Sequence, residues 1–86
     1  MNINELIAIL KKKLLEKIII EKLDIQDKSF LHKNHKGHQE GKFHIKILIQ
    51  SEELKKMNKI DSNKKIYKIL ENEIKNSIHS LQILIN

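Results

Sequence analysis

Eighty-six residues, 40% of them apolar, suffice for one small domain and are too few for two. The net charge of +6 comes from seventeen lysines and no arginine; alongside seventeen isoleucines and eight asparagines this is the joint bias of AT-rich codons, which discounts the charge as a sign of a nucleic-acid ligand. The lack of cysteine excludes disulfides, thiolate catalysis and all-thiolate zinc sites, and no apolar run approaches the ~20 residues of a membrane-spanning helix.

The opening MNINELIAIL carries Glu5 ahead of any lysine, unlike a secretory signal or a basic, acid-poor transit peptide. The sequence does not fix a compartment; a cytoplasmic location is the first expectation and a mitochondrial one the alternative. Ile3, Leu6, Ile7, Leu10, Leu14 and Ile18 recur at spacings of three and four. Together with the capping pair Asn2 and Glu5, this predicts an amphipathic helix over about Ile3 to Lys17. Lys11 to Lys13 read as its solvated side. Leu23 and Ile25 alternate with Lys22, Asp24 and Gln26, a short half-buried strand ending near Asp27.

A long hairpin loop follows, holding HKNHKGH (His32 to His38) and the only glycines, Gly37 and Gly41. Phe43, Ile45, Ile47 and Ile49 then share one face of a second strand, and His44, Lys46, Leu48 and Gln50 take the other, where His44 is assigned a structural role on the less buried side. Ser51 caps a short helix through Lys56. A longer helix is expected over Ile60 to Ile74, with Ile66, Tyr67, Leu70 and Ile74 inward, and IHSLQILI (Ile78 to Ile85) reads as a third strand.

The order helix, strand, strand, helix, helix, strand makes the first two strands antiparallel by their hairpin and the last two parallel by their helical crossover, if they are neighbours. The end of strand one, the start of strand two and the start of strand three then share one end of the sheet. His79, at the head of strand three, faces the region of His32, His35 and His38, distant in sequence and near in space. From spacing alone, two readings of these histidines stay open: a metal site, or a solvated loop beside a strand-end histidine hydrogen-bonded to backbone.

Asp27-x-Ser29-x-x-His32, the strand His44 to Ile47 ending in Ser51, the pair Ile66-Tyr67 and the terminal Ile78-His79-Ser80-Leu81 resemble the BolA-like proteins, with spacing that holds from about Glu5 to Ile85. The resemblance implies an α+β domain of class II KH-like fold, a three-stranded mixed sheet with helices on one face. It also implies a heterodimer with a monothiol glutaredoxin that shares a [2Fe-2S] cluster completed by glutathione, the chain alone being monomeric and free of cofactor. On that resemblance His32 matches the loop ligand and His79 the terminal ligand, with His35 and His38 as further loop candidates. The chain departs from the family at Leu54, where phenylalanine is usual, at Lys56, near a usual glycine, and at Ser62, Asn63 and Lys64, where an R-H-R triplet is usual.

Two other function classes compete. A KH-like nucleic-acid-binding regulator fits the fold and charge, but the glycines do not form a GXXG clamp. Phe30, Phe43 and Tyr67 are too few for a stacking platform, and without arginine there is no bidentate guanine reader, which leaves weak, salt-sensitive binding through lysine. An enzyme would have to use Asp27, Ser29 and His32 as a hydrolytic triad, yet no nucleophile elbow or oxyanion loop accompanies them, so polar turn residues explain them better.

Overall fold

Helix α1 (Ile3–Lys17) starts where the sequence places its cap: Asn2 Oδ1 accepts from the Glu5 amide at 2.8 Å, and Asn2 Nδ2 donates to the Glu5 carboxylate at 3.0 Å. It stops at Ile18, whose backbone is extended. The structure, a computed structural model, describes residues 1–29 and 42–86. Leu6, Leu10 and Leu14, four residues apart, form one fully buried stripe, each contributing about 2 kcal/mol by removal from water.

That stripe packs in one core with the inward side of a sheet ordered β1-β2-β3. β1 (Lys22–Asp27) is antiparallel to β2 (Phe43–Gln50), from Lys22 opposite Gln50 to Asp27 opposite Ile45. β3 (Ile78–Ile85) is parallel to β2 and brings Ile83 beside Ile47. Ile45, Ile47 and Ile49 fill the centre because β2 is the middle strand, covered on both sides by neighbours. Leu54, Ile66 and Leu70, from the helical connection between β2 and β3, close the core. The fold is therefore the α+β arrangement expected from the resemblance.

Three details differ from expectation. The helix expected over Ile60 to Ile74 is two helices, α3 (Lys59–Ile69) and α4 (Glu71–Asn76), parted at Leu70 with φ −98° and ψ 15°. No proline or glycine marks this break. Leu70 stays fully buried there, and Glu73 on α4 meets Lys13 of α1 with both carboxylate oxygens at 2.8 Å, so tertiary contacts accompany a change that local sequence does not announce. Tyr67 points outward and is 44% exposed, because the buried stripe runs through Ile66 and Leu70 with Ile69 alongside. Lys13 is half-buried in that ion pair, whereas Lys11 and Lys12 are solvated as expected.

Candidate functional site

At the head of β3 the strands slip by one residue. Phe43 and His44 are consecutive on β2, yet their partners on β3 are Ile78 and Ser80, which leaves His79 as the extra residue of a β-bulge. Ile78 is buried in the core and the next residue packed against the core is Leu81, a spacing of three where a regular strand needs two. His79 and Ser80 both end up exposed.

The bulge gathers three polar side chains. The Ser80 hydroxyl lies 2.6 Å from Nδ1 of His44, and the His44 and His79 rings stand with centroids 4.8 Å apart and planes tilted by 54°. His44 lies on the face opposite Ile45, as its alternation requires, but it is only 6% exposed. The rest of that face, Lys46, Leu48 and Gln50, is the less buried side as expected; His44 alone departs from it, at the point where the bulge brings His79 and Ser80 alongside.

The backbone beneath is fixed from β1. Asp27 Oδ1 accepts from the Ser29 amide at 2.9 Å, the Ser29 hydroxyl accepts from the His44 amide at 3.0 Å, and the Lys28 amide donates to the His44 carbonyl at 2.7 Å. The Phe43 amide donates to the Ser77 carbonyl at 2.9 Å, which joins β2 to the entry of β3. Asp27 and Ser29 thus direct their polar atoms at main-chain amides. His32, His35 and His38, together with Gly37 and Gly41, lie outside the described residues.

Sequence reasoning placed His79 at this end of the sheet and undervalued His44. The signal was present in two places: the three-residue gap from Ile78 to Leu81, and the histidine that opens the β2 alternation. A groove of about 410 Å³ runs beside the rim, lined by Lys28, His44, Lys46, Ser80 and Gln82 among others. Among the described residues, no cluster of three or more His, Cys, Asp or Glu side chains forms a metal site by itself.

The other end of β3 is built differently. A groove of about 390 Å³ lies between its last residues, Ile83 to Ile85, and the α2–α3 turn, where α2 spans Glu52–Lys55. Leu54 and Met57 line its wall with Lys55 and Lys59. Lys56 follows as the α2 C-cap in ordinary right-handed backbone, so the glycine usual near this position is not needed. Behind the turn, the Lys65 ammonium at 2.7 Å and then the Ile19 amide at 3.2 Å hold the Glu53 carboxyl below the usual carboxylate range, against a smaller opposing effect of burial.

The fold and the rim define a small α+β domain whose last strand begins with an exposed, bulge-borne histidine. The family model for BolA-like proteins matches residues 14–86, and the chain belongs to that family. The DNA-binding transcriptional regulator BolA of Haemophilus influenzae is 33% identical over 61 residues, 71% of this chain and 56% of that protein, so the match spans little more than half of its length. Among solved structures, the BolA domain of SufE1 from Arabidopsis thaliana superposes with a TM-score of 0.76 at 22% identity, covering 100% of this chain and 93% of that one. BolA1 from Arabidopsis thaliana gives 0.76 at 24% identity over 92% and 87% of the two chains. At these identities the likeness is one of fold.

Proposed function

We propose that this chain is a non-catalytic adaptor that pairs with a monothiol glutaredoxin and co-ligates a bridging [2Fe-2S] cluster, serving cluster assembly and trafficking or iron sensing. The observation that carries the reading is His79, an exposed imidazole on a bulge at the rim where the described residues end at Ser29 and resume at Lys42. Each iron of such a cluster takes two ligands beyond its bridging sulfides, and two imidazoles can serve one iron as in Rieske-type centres. The donor set fits half of that shell: one rim imidazole, loop histidines as the second arm and no cysteine anywhere in the chain. His79 holds one position in this reading and His32 the other, with His35 as the alternative loop ligand. The remaining thiolates come from the glutaredoxin cysteine and its glutathione, whose carboxylates suit Lys28 and Lys46 in the adjoining groove.

Anaerobic titration into a cluster-loaded glutaredoxin homodimer, followed by visible circular dichroism, tests the reading. The expected result is a new spectrum that saturates at one-to-one, is weakened by His32→Ala, for which His35 can substitute, and is lost in His79→Ala. A glutaredoxin spectrum that never changes sinks it.

A second reading, nucleic-acid binding, draws on the Haemophilus relative, named a DNA-binding transcriptional regulator, and on the lysine groove of α2 and α3. Lys55 and Lys59 of the groove, with the exposed Lys56 beside them, would meet phosphates as point charges, which gives affinity without base selection. Under this reading, oligonucleotide affinity survives the double substitution of His32 and His79 by alanine and collapses with added salt.

A further inference from the structure

We infer that His44 is the positioning residue of His79, and that Ser80 fixes His44 in that role. The inference rests on the half-site reading above and adds to it how this chain sets the direction of its rim imidazole.

An exposed histidine on an edge strand ordinarily turns about both of its side-chain torsions, and a metal-bound imidazole must give that freedom up. Three features of the rim remove it in advance. The His44 backbone is held on both sides of its α-carbon, by the Ser29 hydroxyl on its amide and by the Lys28 amide on its carbonyl. The His44 ring is then held by the Ser80 hydroxyl at 2.6 Å from Nδ1, which blocks rotation of the imidazole whichever atom carries the proton. The fixed ring finally stands 4.8 Å from the His79 ring at a 54° tilt, close enough to limit its rotamers.

The bulge makes the arrangement possible. In a regular parallel register His79 and Ser80 would face opposite sides of the sheet, and only one of them would reach the His44 side. With His79 as the extra residue, both stand outward next to His44. Such second-layer contacts commonly set ligand orientation, and their removal typically weakens metal affinity about 10- to 100-fold.

The test uses Ser80→Ala, Ser80→Thr, His44→Gln and His79→Ala in the full chain, each checked for wild-type far-ultraviolet circular dichroism. Ring ¹⁵N shifts from long-range ¹H–¹⁵N spectra of the isolated protein report tautomer and ring averaging at His79 without any cluster. The expected result is that Ser80→Ala and His44→Gln shift the His79 ring signals toward the averaged values of a free side chain, and that Ser80→Thr keeps the wild-type signals. In the glutaredoxin titration, Ser80→Ala and His44→Gln should raise the midpoint about tenfold while keeping the shape of the final spectrum, and His79→Ala should abolish that spectrum.

Unchanged His79 ring signals in both Ser80→Ala and His44→Gln overturn the inference. So does a His44→Gln protein that loses the cluster spectrum as completely as His79→Ala, since His44 would then be a ligand. If the wild type itself gives no new spectrum, the half-site reading fails by that arm, while the ring signals still decide whether His44 and Ser80 orient His79.

Discussion

At the head of β3, His44, Ser80 and His79 sit within a few ångströms of one another over a backbone tied to Ser29 and Lys28, whereas at its tail Ile83 to Ile85 border a groove whose charge comes from solvated lysines. One strand thus ends in two kinds of surface. The rim depends on direction, because a hydrogen bond or a metal–ligand bond fails when its donor turns away. The groove depends on the sum of its charges, which salt screens and which no single lysine dominates. Substitutions should therefore act sharply at one end and gradually at the other.

The largest expected effect is at the rim. His79→Ala should remove the spectral change with glutaredoxin altogether, yet thermal unfolding should shift by no more than about 0.5 kcal/mol, because an exposed side chain carries little of the fold. Oligonucleotide binding should be unaffected. A His79→Ala protein that loses both activities would erase the distinction between the two ends.

Next in size is Ser51→Ala, which acts on the groove side through the fold. The fully buried Ser51 hydroxyl donates to the Ile19 carbonyl at 2.7 Å and accepts from the Leu54 amide at 3.2 Å, so its loss leaves the buried Leu54 amide without a partner and removes the tie to Ile19. The cost should be about 2 kcal/mol, a fall in Tm on the order of 10 °C for a domain of this size. Below the melting transition the glutaredoxin titration should keep its midpoint, since Ser51 stands at the far end of β2 from His44.

How much of this was legible in the sequence follows the same division. α1 and its Asn2–Glu5 cap, the β2 alternation and the parallel pairing with β3 were readable because local periodicity and connection rules govern them directly. The break at Leu70 was not, since a buried leucine with helix-forming neighbours gives no local sign of it. At the rim, the position of His79 followed from topology, but the burial of His44 did not. That burial depends on a one-residue slip between β2 and β3, and register is a property of two strands that neither strand's alternation displays alone. The family resemblance included His44, His79 and Ser80 in its motifs without placing them against one another.

A smaller effect should come from the lysines. Replacing Lys55, Lys56 and Lys59 together by alanine should weaken binding of a single-stranded oligonucleotide and flatten its salt dependence by about 2 in the slope of log K against log salt, as expected for three lost phosphate contacts. The loss should be the same across oligonucleotide sequences, and the circular dichroism titration should not move. Sequence-dependent losses would show a readout that point charges do not provide, and an unchanged slope would place the phosphates elsewhere.

The smallest effect is a pH dependence confined to the groove side. Glu53 on α2 accepts from Lys65 on α3 and from the Ile19 amide between α1 and β1, and its carboxyl is held below the usual carboxylate range by those contacts, Lys65 first. A carboxyl whose pKa is lower in the folded chain than in the unfolded chain adds stability that is fully present above the unfolded value and is lost as pH falls through the folded one. Wild type should therefore exceed Glu53→Gln in Tm by a small, constant margin at neutral pH. That margin should shrink once the pH drops below the ordinary range for glutamate, and added salt should reduce it because the pair is open to solvent. A margin that grows on acidification would reverse the sign and show that the Glu53 carboxyl is disfavoured as an anion. The His79 ring signals should be the same in both proteins at neutral pH, because no contact of Glu53 reaches the rim.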